Sequence, residues 1–549
     1  MKTERGDHPA IEPLPEAAAR PRMPLPRRLA RRVSLSALGW AAWGFGQLGR
    51  VPVARQAAVR GAERIMRKRL KSTTQNYGLP PRVSEDILSL GLAAVRTIDR
   101  LLAKGRIRSS VIRKTTGVLL HGVVTGGPDH YPQSSFVARN GVEPPGLLLL
   151  SPTNARNPRC VGSDADSEEA SEMLDWPVLD RMVEEAKDIW GSHFMVLTGE
   201  EPLVYRSRGR GVLDLAEKHR DMIFMMSTNG TLIDDGLARR IGRAGNLTPA
   251  VSIEGLKART DRRRGAGAFD ALRAAFDRLR REKVLFGVSL TATRDNTEEI
   301  LSDEAVDFYF GEVGAAYAWV FHYMPIGRAP SLCLLPTPDQ RRYLYERSWQ
   351  LVKERHVFVT DFSNGGTISK GCLAGGRPGG FLAVNGQGQV SPCVYMPYSP
   401  ININEVFAAG GTLDEAWAHP FFHRIRSWQA GYGYGRNSNG TGRPDDLRGN
   451  WLMPCPIRDH HLEFASLLKE FRLEPLDENA RAAMEDQGYR WGMAAYNEEV
   501  AVRMDPIWDG EYRNRPVRNE PPPVSVEPAI DPRPRPSSAD ESQGTEVRP

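Results

Sequence analysis

Six short apolar runs punctuate the middle of the chain: PGLLLLSPTN (Pro145–Asn154), FMVLTGEEPL (Phe194–Leu203), MIFMMSTNG (Met222–Gly230), TPAVSIEGL (Thr248–Leu256), FGVSLTATRDN (Phe286–Asn296) and YAWVFHYMPIG (Tyr317–Gly327). Most begin as continuous runs rather than strict alternations, which predicts strands buried on both faces of a parallel sheet. Segments with helical spacing intervene, among them SEEASEMLDWPVLDRMVEEAKDIW, DDGLARRIGRAG, AFDALRAAFDRLRREK and TPDQRRYLYERSWQLVKERH. Right-handed crossovers place every such helix outside the sheet, so six units in succession predict an α/β fold, a partial (β/α)6 TIM-like barrel over residues 145–360.

The ends of the chain follow other rules. Residues 1–144 read as a basic, partly helical extension, in which EDILSLGLAAVRTIDRLLAKG (Glu85–Gly105) has helical apolar spacing. Residues 476–549 read as a helical segment and then a tail too rich in Pro and charge to bury a core. Charge is divided unevenly: residues 1–120 carry 24 Lys+Arg against 8 Asp+Glu, and the remainder 49 against 59.

A basic arm seeks anionic lipid or nucleic acid. Lipid is favoured by the uncharged VSLSALGWAAWGFGQLG between Arg32 and Arg50, which is short and glycine-rich for a bilayer span and suits an interfacial helix. Peripheral membrane contact through residues 27–70 is therefore expected. A secretory or twin-arginine reading of RRLARR, or packing of this stretch on the protein itself, are the alternatives. Five cysteines, an odd and sparse set, argue against a disulfide framework and for a cytoplasmic location with thiols free to bind metal. There is no phosphate loop of Walker type and no nucleic-acid-binding motif.

Polar and glycine residues gather at the C-terminal ends of the six runs, the edge that carries active sites in such barrels. The first of these ends continues as SPTNARNPRCVGS (Ser151–Ser163). Taken in order, the six ends resemble the radical S-adenosylmethionine (radical SAM) family, whose first loop holds three cysteines spaced C-x3-C-x2-C. Those thiolates bind three irons of a 4Fe-4S cluster, SAM chelates the fourth, and reduction releases a 5'-deoxyadenosyl radical. In this chain the three positions fall at Arg156, Cys160 and Ser163. A guanidinium has no lone pair to offer iron, and oxygen from Ser163, Asp164 or Asp166 holds such clusters poorly; whether by substitution or by a short deletion after Gly162, Cys160 is the one soft ligand left.

By the same resemblance, Gly199, Glu201 and Pro202 of TGEEP, together with Asn229, Ser252 and Glu254, line the SAM cavity. Glu200 stands where the family has a second glycine, adding a side chain and, at a positive φ, strain. The run from Asp261 to Phe269 resembles the family's D-x-x-R-G-x-G-x-F segment. His322 and Tyr323 at the sixth end face either the cavity or the structural core, the latter being the commoner fate of such a histidine.

Residues 361–475 resemble the opening of a SPASM or twitch auxiliary-cluster domain: Cys372, a glycine-tipped hairpin in FLAVNGQGQV, Cys393, and later Cys455. The hairpin returns one cysteine next to another. Asp459, His460 and His461 are alternatives for a fourth ligand, and the metal is either an auxiliary 4Fe-4S cluster or zinc. Cys333 lies outside this spacing and reads as a buried thiol. The resemblance implies a SPASM-type enzyme acting on a peptide or small molecule, here impaired or a pseudoenzyme because two of three cluster cysteines are missing. The alternative is an active oxidoreductase with atypical ligation.

Overall fold

The computed structural model describes residues 52–77, 79–108, 111, 131–155, 172–326, 330–432 and 449–513. Arg156, Cys160, Ser163, residues 27–51 of the basic arm and the Pro-rich tail from residue 514 lie outside them. All six expected strands form: β1 (Leu147–Leu150), β2 (Phe194–Leu197), β3 (Ile223–Thr228), β4 (Leu247–Ile253), β5 (Gly287–Ala292) and β6 (Ala318–His322). They pair in parallel, in sequence order, and a short seventh strand, β7 (Val359–Asp361), adds beyond β6.

The sheet continues on its other side. β8 (Phe381–Val384) pairs in parallel with β1, and β9 (Gln389–Ser391) and β10 (Ile401–Asn402) follow antiparallel. The order β10-β9-β8-β1-β2-β3-β4-β5-β6-β7 leaves the sheet open, a partial TIM barrel extended at its first edge.

Local chemistry sets the intervening helices. The helix Trp176–Trp190 carries Pro177 in its first turn, where the missing N–H costs nothing, and stops at Gly191 with φ 65°. Asp234 caps the helix Asp235–Ala244 by accepting from the Leu237 amide at 2.7 Å, and Thr337 with Gln340 forms a capping box at the head of Pro338–Lys353.

Register separates the two faces of the sheet. Leu150, Leu197, Met226, Val251, Val288 and Ala318 lie on the face that joins Leu179, Met182, Ile241, Phe276, Leu279 and Leu344 of the helices in the main core. On the inner face are Leu149, Val196, Met225, Ala250, Ser252, Ser289 and Trp319. Its lower part is plugged by Leu101, Ile107 and Val111, which follow from the second N-terminal helix. Its upper part carries the small polar Ser227, Ser252, Ser289 and Thr291, all half-buried.

The N-terminal helices α1 (Pro52–Tyr77) and α2 (Pro81–Ala103) lie against each other, tied by Arg55 to Asp99 and Arg96 to Glu63. A second core gathers Val83 of α2, Tyr345, Trp451 and the face Tyr489, Met493, Tyr496, Val500 and Met504 of the long C-terminal helix Gln487–Ile507. Buried Asp86 accepts from Lys353 at 2.9 Å and from the Tyr512 hydroxyl at 2.7 Å, so the two ends of the described chain meet at one carboxylate. Among the described residues no helix is long and apolar enough to cross a membrane.

Candidate functional site

The exit of β1 is stitched shut at its base. Thr153 bridges to Met173, Asn154 N–H donates to Glu172 O at 3.2 Å, and the Thr153 hydroxyl accepts from the Ala155 amide at 2.9 Å. The excursion bearing Cys160 thus leaves and returns at one point. The tip of the β8–β9 hairpin docks there as well. A Cβ on Gly386 would stand 2.9 Å from Glu172 O and 3.2 Å from Thr153 Cα, a packing only glycine permits.

The next rim residues are bound to their own chain. Gly199 has φ +105° and would strike Thr153 O with any side chain, whereas Glu200 is exposed and not at positive φ, so the added strain considered from sequence does not arise. Glu201 is wholly buried. It accepts from Leu203 N at 3.1 Å, the Thr228 hydroxyl at 2.9 Å and Asn229 N at 2.8 Å, tying the β2 turn to the end of β3. Burial raises its pKa, although these three bonds oppose the shift. Pro202 opens the short turn that Glu201 caps. The Asn229 side chain turns back to accept from Thr231 N and its hydroxyl.

Ser252 is half-buried on the inner face, in register with Ser289. Glu254, just beyond β4, is buried and accepts from Arg264 at 2.7 and 3.1 Å, with Arg263 at 2.9 Å on its other oxygen. Both arginines end the helix Lys257–Arg264. Asp261 of the same helix accepts from the Phe269 amide at 2.8 Å and so fixes the entry of the next helix across Gly265 and Gly267, which have φ +97° and +83°. Asn296 binds Thr293 N, Thr291 O and Glu254 O, holding the ends of β4 and β5 together.

His322 does not face the cavity. Period-two alternation puts it with Ala318 and Val320 on the helix side, where it meets Asp361 at 3.2 Å. Burial lowers its pKa, which keeps it neutral at pH 7 despite Asp361. The residues that do face inward are Trp319 and Phe321, and sequence reading passed over them although the aromatic alternation Tyr317, Trp319, Phe321 was visible. Phe362 stacks on Phe321 at 4.8 Å and 7° and lies 4.8 Å from Trp319. Phe321 in turn reaches Tyr395, at 6.3 Å, which links this aromatic wall to the segment after Cys393.

Cys372, Cys393 and Cys455 come together from three separate segments. Gly366 lies against the Trp451 backbone with no room for a Cβ, which brings the segments before Cys372 and Cys455 into contact. Arg377 staples the Cys372 loop by donating to Cys372 O, Ser369 O and Gly371 O. Antiparallel pairing of β8 and β9 returns Cys393.

Burial pushes the Cys372 thiol up to about 12, and Cys455 adds to the shift; Cys393 is raised by burial and then by both other cysteines. The three are therefore protonated when empty, and a metal must displace their protons. Among the described residues, the group whose ligand atoms all lie within 4.8 Å of one another is Asp180, Glu184 and His219, already occupied by the Lys218 ammonium. The cysteines form a wider set than the roughly 3.8 Å sulfur spacing that tetrahedral zinc imposes.

The alternatives for a fourth ligand are otherwise engaged. Asp459 accepts from Arg341 at 2.5 and 3.1 Å, from Arg458 at 3.1 and 3.3 Å, and from the Cys455 amide at 3.0 Å. Burial would raise its pKa, but the two guanidiniums outweigh it and hold the carboxyl far below the usual range. His460 bonds Met453 O at 2.9 Å and meets the stacked rings of Trp428 and Tyr432 edge-on, and His461 bonds Ile457 O at 3.0 Å. Cys333, expected to be buried, is exposed, because its single turn Leu332–Leu334 has no buried position.

Residues 154–302 match the family model described as the radical SAM superfamily. The chain carries a radical SAM domain. The match begins at the β1 exit and runs through the rim residues described above. The chain is similar to the AdoMet-dependent heme synthase of Methanosarcina barkeri, at 28% identity over 48% of this chain and 80% of that protein, and to that of Nitratidesulfovibrio vulgaris, at 29% over 38% and 61%. A shorter stretch is 30% identical to the Fe-coproporphyrin III synthase of Methanosarcina barkeri, over 20% of this chain and 28% of that one. Among solved structures, Streptococcus suis SuiB bound to precursor peptide SuiA has a TM-score of 0.42 at 16% identity, covering 59% of this chain and 74% of its own. The structure of anSMEcpe with bound AdoMet gives 0.42 at 17%, covering 66% and 99%.

The first loop and the C-terminal pocket offer different donor sets. In the first loop, the resemblance sets Arg156 and Ser163 on either side of Cys160, and a guanidinium offers iron no lone pair. At the C-terminal pocket Cys372, Cys393 and Cys455 offer three soft donors that influence one another's titration, and the neighbouring Asp459 is engaged by Arg341 and Arg458.

Proposed function

We propose that this chain is a radical SAM-family protein that has lost reductive SAM cleavage and keeps an auxiliary cluster site of SPASM or twitch type, acting as a binding or regulatory partner. The observation that carries this reading is Arg156 and Ser163 at two of the three cluster positions. It is supported by the rim carboxylates: Glu201 already serves three donors of its own chain, and Glu254 is held by two arginines. Cys372, Cys393 and Cys455 would hold a 4Fe-4S cluster, which supplies one-electron redox chemistry when bound.

The ligand retained by the barrel is, on this reading, a small molecule. Relatives named as heme and Fe-coproporphyrin III synthases point to a flat conjugated macrocycle, and the stacked Phe321 and Phe362 suit one. Titration with hemin, read at its Soret band, should show binding that Phe362→Ala weakens about tenfold.

Iron and sulfide per chain after anaerobic reconstitution test the main reading. About four irons, unchanged in Cys160→Ala and lost in Cys372→Ala/Cys393→Ala, are expected. About eight, with four lost in Cys160→Ala and 5'-deoxyadenosine formed on reduction, would overturn it in favour of an active enzyme with atypical ligation.

A further inference from the structure

Among the described residues, helix α1 packs chiefly through the side that meets α2. Toward α2 it directs Arg55, Glu63 and buried Val59. At 100° per residue, Arg60, Arg64, Arg67 and Lys68 fall within about 100° of arc, which runs from about 80° to about 180° around the helix from Val59. Arg60, Arg64 and Lys68 are exposed, and none of the four has an ion-pair partner among the described residues. That is unusual in this protein, whose surface guanidiniums are otherwise widely paired, as Arg181, Arg240, Arg347, Arg355 and Arg503 are.

Two apolar side chains share the free side of α1. Val53 is 74% exposed and Ile65 is 60% exposed, the former within the cationic arc and the latter about 60° beyond Lys68. The rest of the molecule has the opposite charge balance, 49 Lys+Arg against 59 Asp+Glu beyond residue 120. An anionic surface therefore attracts α1 and repels the body, which orients the molecule as well as holding it.

We propose that this face of α1 docks on a bilayer carrying anionic lipid headgroups. The helix lies in the plane of the surface, with Arg60, Arg64 and Lys68 on lipid phosphates and Val53 and Ile65 entering the headgroup boundary. Lipid is chosen over nucleic acid because exposed aliphatic groups gain nothing from a phosphodiester backbone. The sequence upstream of α1 also supplies the uncharged residues 33–49 with Trp40 and Trp43, residue types favoured at a membrane interface. The inference does not depend on whether SAM chemistry survives.

Cosedimentation of the full chain with vesicles tests it, using phosphatidylcholine alone and phosphatidylcholine with about 30% phosphatidylglycerol, at about 0.1 M and about 0.5 M salt. Binding is expected with the anionic vesicles at low salt and should fall at high salt. R60E/R64E/K68E should lower the partition coefficient at least tenfold, and R60Q/R64Q/K68Q should do so by less. Circular dichroism melts establish that each variant is folded; should the reversal variant not fold, the glutamine variant decides. Equal partition of the folded variants and the parent would overturn the proposal. So would equal binding to neutral vesicles, or binding to duplex DNA through these residues with none to vesicles.

Discussion

The exit of β1 and the pocket around Cys372, Cys393 and Cys455 are neighbours on one sheet, joined by β8 and by the docking of Gly386 against Thr153. At the first, the backbone apparatus is intact: the loop base is closed, Gly199 keeps its left-handed turn, and Glu201 and Asn296 cross-tie the strand ends. By the resemblance, Arg156 and Ser163 stand there where the family has cysteines. At the second, Cys372, Cys393 and Cys455 stand beside Asp459, whose carboxylate is taken up by Arg341 and Arg458. Hydrogen bonds that hold a fold together are under different constraints from thiols that hold a metal, so a loop can lose one set and keep the other.

Restoring the missing ligands is the most direct way to break this contrast. Arg156→Cys/Ser163→Cys should raise iron content from about four to about eight per chain, read by iron and sulfide analysis, if only the side chains were lost. No gain would mean that the loop backbone has drifted too. Asp459→Asn should destabilise the folded chain by about 3–5 kcal/mol, because it leaves Arg341 and Arg458 buried without a full counter-charge, and a thermal melt reads this directly. The pocket should lose its iron in the same variant, read by iron and sulfide analysis.

Gly386→Ala sharpens the link between the two regions. Its Cβ would press on Glu172 O and Thr153 Cα, with an expected loss of about 1–3 kcal/mol, measured by urea unfolding. The smallest effect concerns pH. The folded pKa of Asp459 is depressed, so its contribution to stability is full above the unfolded value near 3.9 and declines as pH falls below it. Between pH 5 and 8 this group adds no slope, and below pH 4 Asp459→Asn should lose stability less steeply than the parent.

Much of this architecture was readable in advance. The six strands announce themselves as apolar runs longer than any turn, and their polar ends mark the rim. β7 escaped notice because VTD is three residues long and pairs on one side only. Helix Trp176–Trp190 starts nine residues later than the SEEASEM spacing suggested, since Pro177 makes a natural first turn. His322 was ambiguous only while its partner was unknown; strand alternation assigns it to the outer face together with Val320. Asp459 could not have been settled locally, because Arg341 stands 118 residues before it. The pairing of Glu254 with Arg263 and Arg264 was closer at hand, ten residues away and one helix long.

The parallel pairing of β8 with β1 also governs how this chain can be cut. A fragment ending before Phe381 would leave Leu147–Leu150, four consecutive leucines, as a bare strand edge with its amides and carbonyls unpaired. Such an edge recruits other strands, so the truncated barrel would come out as an aggregate rather than as a smaller protein.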